Sequence, residues 1–365
     1  MTFCFLGAYD PAYPRNAVLR RGLELAGATV RECRLPGSLK FWMRYPLAVF
    51  RYGRRIASCD VILVPEFCQK DVPLARFFSF VFGKRLVFDP VAGRYETKII
   101  DWQWRRPNSL PARWNFGIDR LAFRLSDIIL ADTAAHRDYF VRTYGLPGDK
   151  LAVLPIGYDD RLFRPHPQAS PRKREFRVLF FGSFLPLHGA VRIVEAAALV
   201  SKKDAAVRFA FIGSGRTFEA VRLRADGLGL KNVEFEGWLK PGDLPARVAA
   251  ADVCLGIFGD TEKAGRVVPH KVFQAMGMKK PVITARTEAV QEFFRHGKNI
   301  YLCDAPYPAN LAAAILALKK DVRLRRGLAE QGYRLVSKEY SPRALGLKLL
   351  RILDRFPHGT KRGRT

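Results

Sequence analysis

Short apolar runs alternate with longer amphipathic stretches along the whole chain, and this alternation constrains the fold more than any other feature. A strand buried on both faces reads as a brief apolar run. A helix covering it reads as a longer stretch with a 3.6-residue apolar period. In the first half the strand candidates are Thr2–Leu6, Thr29–Cys33, Val61–Val64, Leu86–Asp89, Ile128–Ala131 and Leu151–Leu154. In the second half they are Val178–Phe181, Val207–Ile212, Val233–Phe235, Val253–Ile257, Val282–Thr284 and Ile300–Leu302. Helical patterns lie between them, such as Asn16–Ala26, closed by Gly27 where a left-handed residue ends a helix. The rhythm predicts an α/β protein with parallel sheets covered by helices on both faces.

A chain of 365 residues has room for two such domains. The segment from Arg164 to Arg174 carries three prolines and no apolar period, so it reads as the linker. The expected division is a first domain over 1–165, a linker over 166–176 and a second domain over 177–340. A helix over 341–356 is expected to return to the first domain, ahead of a basic tail over 357–365.

Charge is the compositional outlier. Sixty-two Lys and Arg face 34 Asp and Glu, a formal net charge of +28, which calls for an acidic partner: nucleic acid, anionic lipid or a phosphorylated substrate. The six cysteines form no Cys-x-x-Cys pair and read as free thiols of a reducing cytoplasm. No Cys/His cluster has zinc-ligand spacing, so no metal is expected. The chain opens on a strand-like run without a basic segment before an apolar core, which argues against a signal peptide. No apolar window is long enough to cross a bilayer as a helix.

In open α/β sheets ligands bind beyond the carboxyl ends of the strands, so the strand exits are the candidate sites. The first exit in the second half is Phe181-Gly-Ser-Phe-Leu-Pro-Leu-His-Gly189, where Gly182 and Gly189 permit close backbone approach beside a helix start. The next are Gly213-Ser-Gly-Arg216 and Phe235-Glu-Gly-Trp238; a residue such as Trp238 serves in packing more often than as a base platform. The densest runs from Gly256 to Met278. It holds Phe258 and Gly259, then Pro269 at a helix start flanked by Arg266 and Lys271, so that amides, a helix dipole and two cations can converge on a diphosphate. The last is Pro281-Val-Ile-Thr284, followed by Glu288 and Glu292.

In this order these segments resemble the second domain of family 4 glycosyltransferases, which have the GT-B fold. The carrying motifs are Gly182…His188-Gly189, Gly213-Ser-Gly215, Phe235-Glu-Gly-Trp238 and Gln274-Ala-Met-Gly-Met-Lys-Lys-Pro-Val-Ile283, with Leu154-Pro-Ile-Gly-Tyr-Asp159 before the linker. The resemblance implies two Rossmann-like doubly wound domains facing a cleft. It implies a retaining, metal-independent transfer from a nucleoside diphosphate sugar, UDP- or GDP-linked, with no other cofactor. The family's phosphate-binding Arg and Lys fall on Ser183 and His188, and its two motif glutamates fall on Arg266 and Gln274. Some bacterial members similarly have Pro-x-His-Gly and an Arg before Pro-x-Lys, which implies rearranged phosphate contacts. On this reading Arg266, Lys271, His188 and Asp89 are the catalytic candidates. The donor candidates are Gly182, Ser183, Gly189, Gly213, Gly215, Arg216, Gly237, Trp238, Phe258, Gly259, Pro269, Gln274 and Glu292.

The first half is expected to hold a glycan or lipid-linked acceptor. Its exits, Gly7 to Asn16 and Phe88 to Tyr95, offer Gly7, Arg15, Asn16, Asp89 and Arg94, while His136 reads as a helix-face residue. Between Cys33 and Cys59 lie six basic residues (Arg34, Lys40, Arg44, Arg51, Arg54, Arg55) and no acid, interleaved with Phe41, Trp42, Tyr45, Phe50 and Tyr52. That composition suits an element lying on an anionic membrane surface, and Leu74–Arg85 fits the same surface. The expected location is therefore cytoplasmic, peripheral on the inner face of the cell membrane. Two other readings stand beside the enzyme. One is a non-catalytic nucleotide-sugar-binding relative, suggested by Arg266 and Gln274. The other is a nucleic-acid-binding protein, disfavoured because no reading motif accompanies the charge.

Overall fold

The computed structural model describes residues 1–165 and 175–356. The tail 357–365 and most of the expected linker lie outside them. The chain forms two compact units, Met1–Pro155 with Pro342–Thr365, and Ile156–Ser341.

The first unit runs β1 (Thr2–Gly7), α1 (Pro14–Leu25), β2 (Thr29–Arg34), α2 (Phe41–Ala57), β3 (Val61–Val64), α3 (Val72–Phe82), β4 (Arg85–Phe88), α4 (Leu110–Leu125), β5 (Ile128–Ala131), α5 (Ala134–Tyr144) and β6 (Leu151–Val153). Its six strands are all parallel, in the order β2-β1-β3-β4-β5-β6. β3 and β5 are buried along their whole length, as short apolar runs between two helix layers must be. Right-handed crossovers put α1 on one face and α2 to α5 on the other, because the chain reverses direction at β2. In keeping with this, α2 packs on α3 and α3 on α4.

The second unit runs β7 (Phe176–Phe181), α6 (Ala190–Lys203), β8 (Val207–Ile212), α7 (Phe218–Gly227), β9 (Val233–Glu236), α8 (Leu244–Ala250), β10 (Val253–Leu255), α9 (Glu262–Arg266), α10 (His270–Gly277), β11 (Val282–Ala285), α11 (Glu288–Phe293), β12 (Tyr301–Cys303), α12 (Pro308–Lys320) and α13 (Val322–Glu339). Its parallel sheet has the order β12-β11-β10-β7-β8-β9. The order reverses between β7 and β10, and that switch point is where an open sheet leaves a crevice for a ligand. The last helix, α14 (Pro342–Arg355), packs along α1 of the first unit. The two helices cross at Gly22 and Gly346: a methyl group on Gly346 would lie 1.9 Å from the Gly22 carbonyl oxygen.

All twelve expected strands are present, each end within two residues of its expected position. The unit boundary differs from expectation. It falls after Pro155, ten residues before the proline-rich stretch, because Tyr158 and Phe163 are buried against α10 of the second unit. Phe176, assigned to the linker, is the first residue of β7.

Candidate functional site

The candidate site of the second unit is built where β7 and β10 end side by side. After β7 the chain passes through Gly182, with φ +115°, into a turn that closes at Gly189, the residue before α6. After β8 it passes through Gly213, with φ +128°; a methyl group there would lie 2.1 Å from the Gly182 carbonyl oxygen. Only glycine satisfies both demands. The two turns are stitched by Phe184 N–H to the Ser214 carbonyl at 2.9 Å and Thr217 N–H to the Phe184 carbonyl at 3.0 Å. The exit of β10 is fastened to the same turn. Phe258 N–H donates to the His188 carbonyl at 3.0 Å, and Gly259 N–H to the Leu187 carbonyl at 3.2 Å. The amides of Gly182 and Gly213 are likewise engaged, by the carbonyls of Ile212 and Glu236. These glycines therefore shape the crevice by close backbone approach, and the amides of Gly182, Gly213 and Gly259 are engaged by backbone carbonyls. A pocket of about 260 Å³ opens at the start of α6, lined by Leu185, Pro186, Gly189, Arg192, Thr217 and Gly259 among others.

Lys271, in the first turn of α10, is the most consequential side chain. It is buried, and its Nζ has no hydrogen-bond partner. The ammonium sits 3.8 Å from the centre of the Phe180 ring, directly beneath Gly182. A cation–π contact offsets part of the lost hydration but supplies no counter-charge. Burial therefore pushes the Lys271 amine well below its usual value. His188, at the far side of the turn, is also buried. Burial, then repulsion from Lys271 and Lys263, holds its imidazole well below the usual value, with Nδ1 directed at the Ser183 carbonyl. A carbonyl accepts only from a protonated nitrogen, so Nδ1 carries the proton and the ring is neutral. His188 thus does not replace the positive charge that the resemblance assigns to its position. The cation nearby that sequence reasoning missed is Lys263, buried on α9 within reach of His188. It stands in a run that reads as an exposed polar loop.

Of the other donor candidates, Gln274 is buried one turn after Lys271, and Pro269 is the residue before α10. Gly215, with φ +148°, packs against the Phe184 backbone. Arg266 ends α9 and is separated from α10 by Val267 to Pro269; its guanidinium is held 3.1 Å from Glu262. Arg266 and Lys271 thus stand on either side of the α10 start, the first at the end of α9 and the second in the first turn of α10. Arg216, Gly237 and Trp238 are exposed beyond β8 and β9, and Glu292 is half-buried on α11. Among the described residues, no three His, Cys, Asp or Glu side chains converge as a metal site requires.

In the first unit the structure corrects the assignment of Arg15 and Asp89. Both are buried and joined by two hydrogen bonds, Nε to Oδ2 at 2.8 Å and Nη2 to Oδ1 at 3.0 Å, while Arg15 also donates to the carbonyls of Leu154 and Pro155. With both carboxylate oxygens so engaged, the pair clamps β4 to the chain leaving β6. Asn16 donates to the Asp10 carbonyl and to Glu66 Oε1, each at 2.7 Å. Burial, with the Asp89 charge adding to it, pushes the Glu66 carboxyl up to about 8. Gly7 is packed under Cys68, and Arg94 donates to Asn115 at 3.2 Å. His136 lies on α5, where it is fully buried between Asp132 at 2.6 Å and Glu96 at 2.9 Å. Burial opposes its protonation, but the two carboxylates outweigh that and raise it to about 9. No helix of the described residues is long and apolar enough to cross a membrane.

Residues 175–321, most of the second unit, match the family described as glycosyl transferases group 1. A D-inositol 3-phosphate glycosyltransferase of Thermomonospora curvata is 30% identical over 226 residues, 56% of this chain and 51% of that relative, so the chain spans about half its length. The lipopolysaccharide core biosynthesis glycosyltransferase LpsD of Rhizobium meliloti is 26% identical over 275 residues, 70% of this chain and 75% of that one. Among solved structures, Anabaena HepE in complex with UDP and glucose superposes with a TM-score of 0.73 at 17% identity, covering 97% of this chain and 99% of its own. Sucrose-phosphate synthase from Thermosynechococcus elongatus gives 0.75 at 16%, covering 97% and 98%. The structural likenesses show the GT-B fold for both units, and the match over residues 175–321 makes the second unit similar to the glycosyl transferases group 1 family.

Proposed function

We propose that the chain moves a sugar, with retention of anomeric configuration, from a nucleoside diphosphate sugar to a lipid-linked or polysaccharide acceptor. We further propose that it does so without a metal, while peripherally attached to the inner face of the cell membrane. The observation that carries the donor assignment is Lys271: a buried amine with no hydrogen-bond partner, at the carboxyl end of β7 and in the first turn of α10. An arriving diphosphate supplies the missing anion, and the start of α10 adds its dipole. Charge that develops on the leaving diphosphate is then met by the Lys271 ammonium, protonated as the diphosphate binds, in a dry setting where such stabilisation is strongest. Arg266 joins it by exchanging Glu262 for a phosphate oxygen, a substitution that guanidinium geometry favours. Gln274, as a neutral amide, bonds a ribose hydroxyl. The leaving phosphate takes the proton of the incoming acceptor hydroxyl on the same face, which retains the configuration.

The test is thermal denaturation of the full chain with UDP, GDP, ADP and their sugars. A ligand at 100 times its Kd stabilises by about 2.7 kcal/mol. One nucleotide should stabilise the wild type, and its sugar should be consumed when acceptor is added. Binding without consumption of any donor sugar would favour the non-catalytic relative, the reading to which Arg266 and Gln274 in the motif glutamate positions lend support. Stabilisation by none of the nucleotides would refute the donor assignment.

A further inference from the structure

We infer that α2, α3 and α4 together form one membrane-docking face for anionic lipid. This deepens the peripheral attachment proposed above, but it does not depend on sugar transfer. The three helices follow one another on the same side of the first sheet, each packed on the next, so their outer surfaces share a direction. That shared surface is apolar and basic at once. Phe50 on α2 is 90% exposed, Phe80 on α3 82% and Trp114 on α4 62%. Arg51, Arg54 and Arg120 are exposed among them. The three helices contain a single carboxylate, Asp119, and it is fully buried. Large exposed aromatics are unfavourable in water unless a partner covers them. Aromatics and arginines on helices that expose no acid of their own complement the headgroups and upper acyl region of an anionic bilayer.

The structure also sorts the basic segment by role. Arg44 is tied to Asp71 and to the carbonyls of Leu39 and Gly37, while Tyr45 and Tyr52 turn inward to bond the carbonyls of Lys70 and Arg34. These residues build the helix layer, so they are not part of the docking face. α4, in turn, enlarges the face beyond the segment that composition marks.

The test is co-sedimentation of the full chain, without donor, with vesicles of phosphatidylcholine alone or mixed with phosphatidylglycerol. The chain should bind the mixed vesicles and not the neutral ones. Each basic residue near an anionic surface is worth about fivefold in partitioning, so Arg51→Ser with Arg54→Ser should weaken binding roughly 30-fold. Phe50→Ser with Phe80→Ser should weaken it about tenfold or more. All four side chains are exposed, so both variants should keep the wild-type melting temperature and nucleotide response. Equal binding to neutral vesicles, or undiminished binding by either variant, would overturn the inference. So would loss of a concentration-dependent dimer in the phenylalanine variant without loss of vesicle binding, since a second copy would then be the cover. Duplex DNA binding that the arginine variant loses, with no vesicle binding at all, would overturn it in favour of nucleic acid. Absence of transfer activity with intact vesicle binding would leave this inference standing and count against the enzyme reading alone.

Discussion

Replacing Lys271 by Met should stabilise the unliganded protein and weaken donor binding in the same variant. Met keeps the unbranched stem over Phe180 and removes only the buried Nζ, which has no partner. Leaving a buried polar group unsatisfied costs about 1–3 kcal/mol, so the variant should gain about 1–2 kcal/mol after the lost cation–π contact is subtracted. For a unit of this size that is a rise of roughly 2–8 °C in its melting temperature. The same Nζ is the group assigned to the diphosphate. A hydrogen bond to a charged group contributes about 1.5–3 kcal/mol, so nucleotide affinity should fall roughly 10- to 150-fold. Calorimetric melting gives the first quantity and titration calorimetry the second. The pH dependence supplies an internal check. Because burial lowers the Lys271 pKa, binding a diphosphate takes up a proton. Wild-type affinity should therefore fall as pH rises above that lowered value, while the Met variant should show no such fall. A lower melting temperature combined with unchanged affinity would mean that Lys271 is a satisfied core residue, and the placement of the diphosphate would be wrong.

Other perturbations separate structural from catalytic roles. Asp89→Asn breaks a fully buried charge pair with Arg15, so the first unit should lose about 3–5 kcal/mol in urea denaturation; unchanged stability with lost turnover would return Asp89 to the catalytic set. Arg266→Ala should lower turnover by roughly 10²–10³ if its guanidinium leaves Glu262 for the leaving group, and steady-state kinetics with the identified donor would contradict this by near-normal turnover. His136 has a folded-state pKa of about 9, above its usual value. Its contribution is therefore full below the unfolded pKa and is lost as pH rises through about 9. Urea midpoints should decline toward alkaline pH more steeply in the wild type than in His136→Gln; parallel declines would show that the buried trio is not the cause.

The local sequence determined a good deal of this protein. Strand and helix periods are local, so runs such as Val61–Val64 and Ile128–Ala131 identify themselves, and with them the parallel sheets. The strand exits follow directly, and with them the segments around Gly182, Gly213 and Pro269. Only the tertiary structure decided what each side chain there does. Lys271 is marked in the sequence by its place beside the Pro269 helix start; that its amine is buried without a hydrogen-bond partner comes from Phe180 and Gly182, some ninety residues earlier. Arg15 and Asp89 read as two candidate site charges, but they neutralise one another across 74 positions. Asp119, on α4, is drawn inward to accept hydrogen bonds from the Tyr144 hydroxyl and the Arg94 and Tyr95 amides. The physical reason is common to all three. Desolvation and Coulomb energy depend on distances between residues far apart in sequence, and no local pattern records those distances.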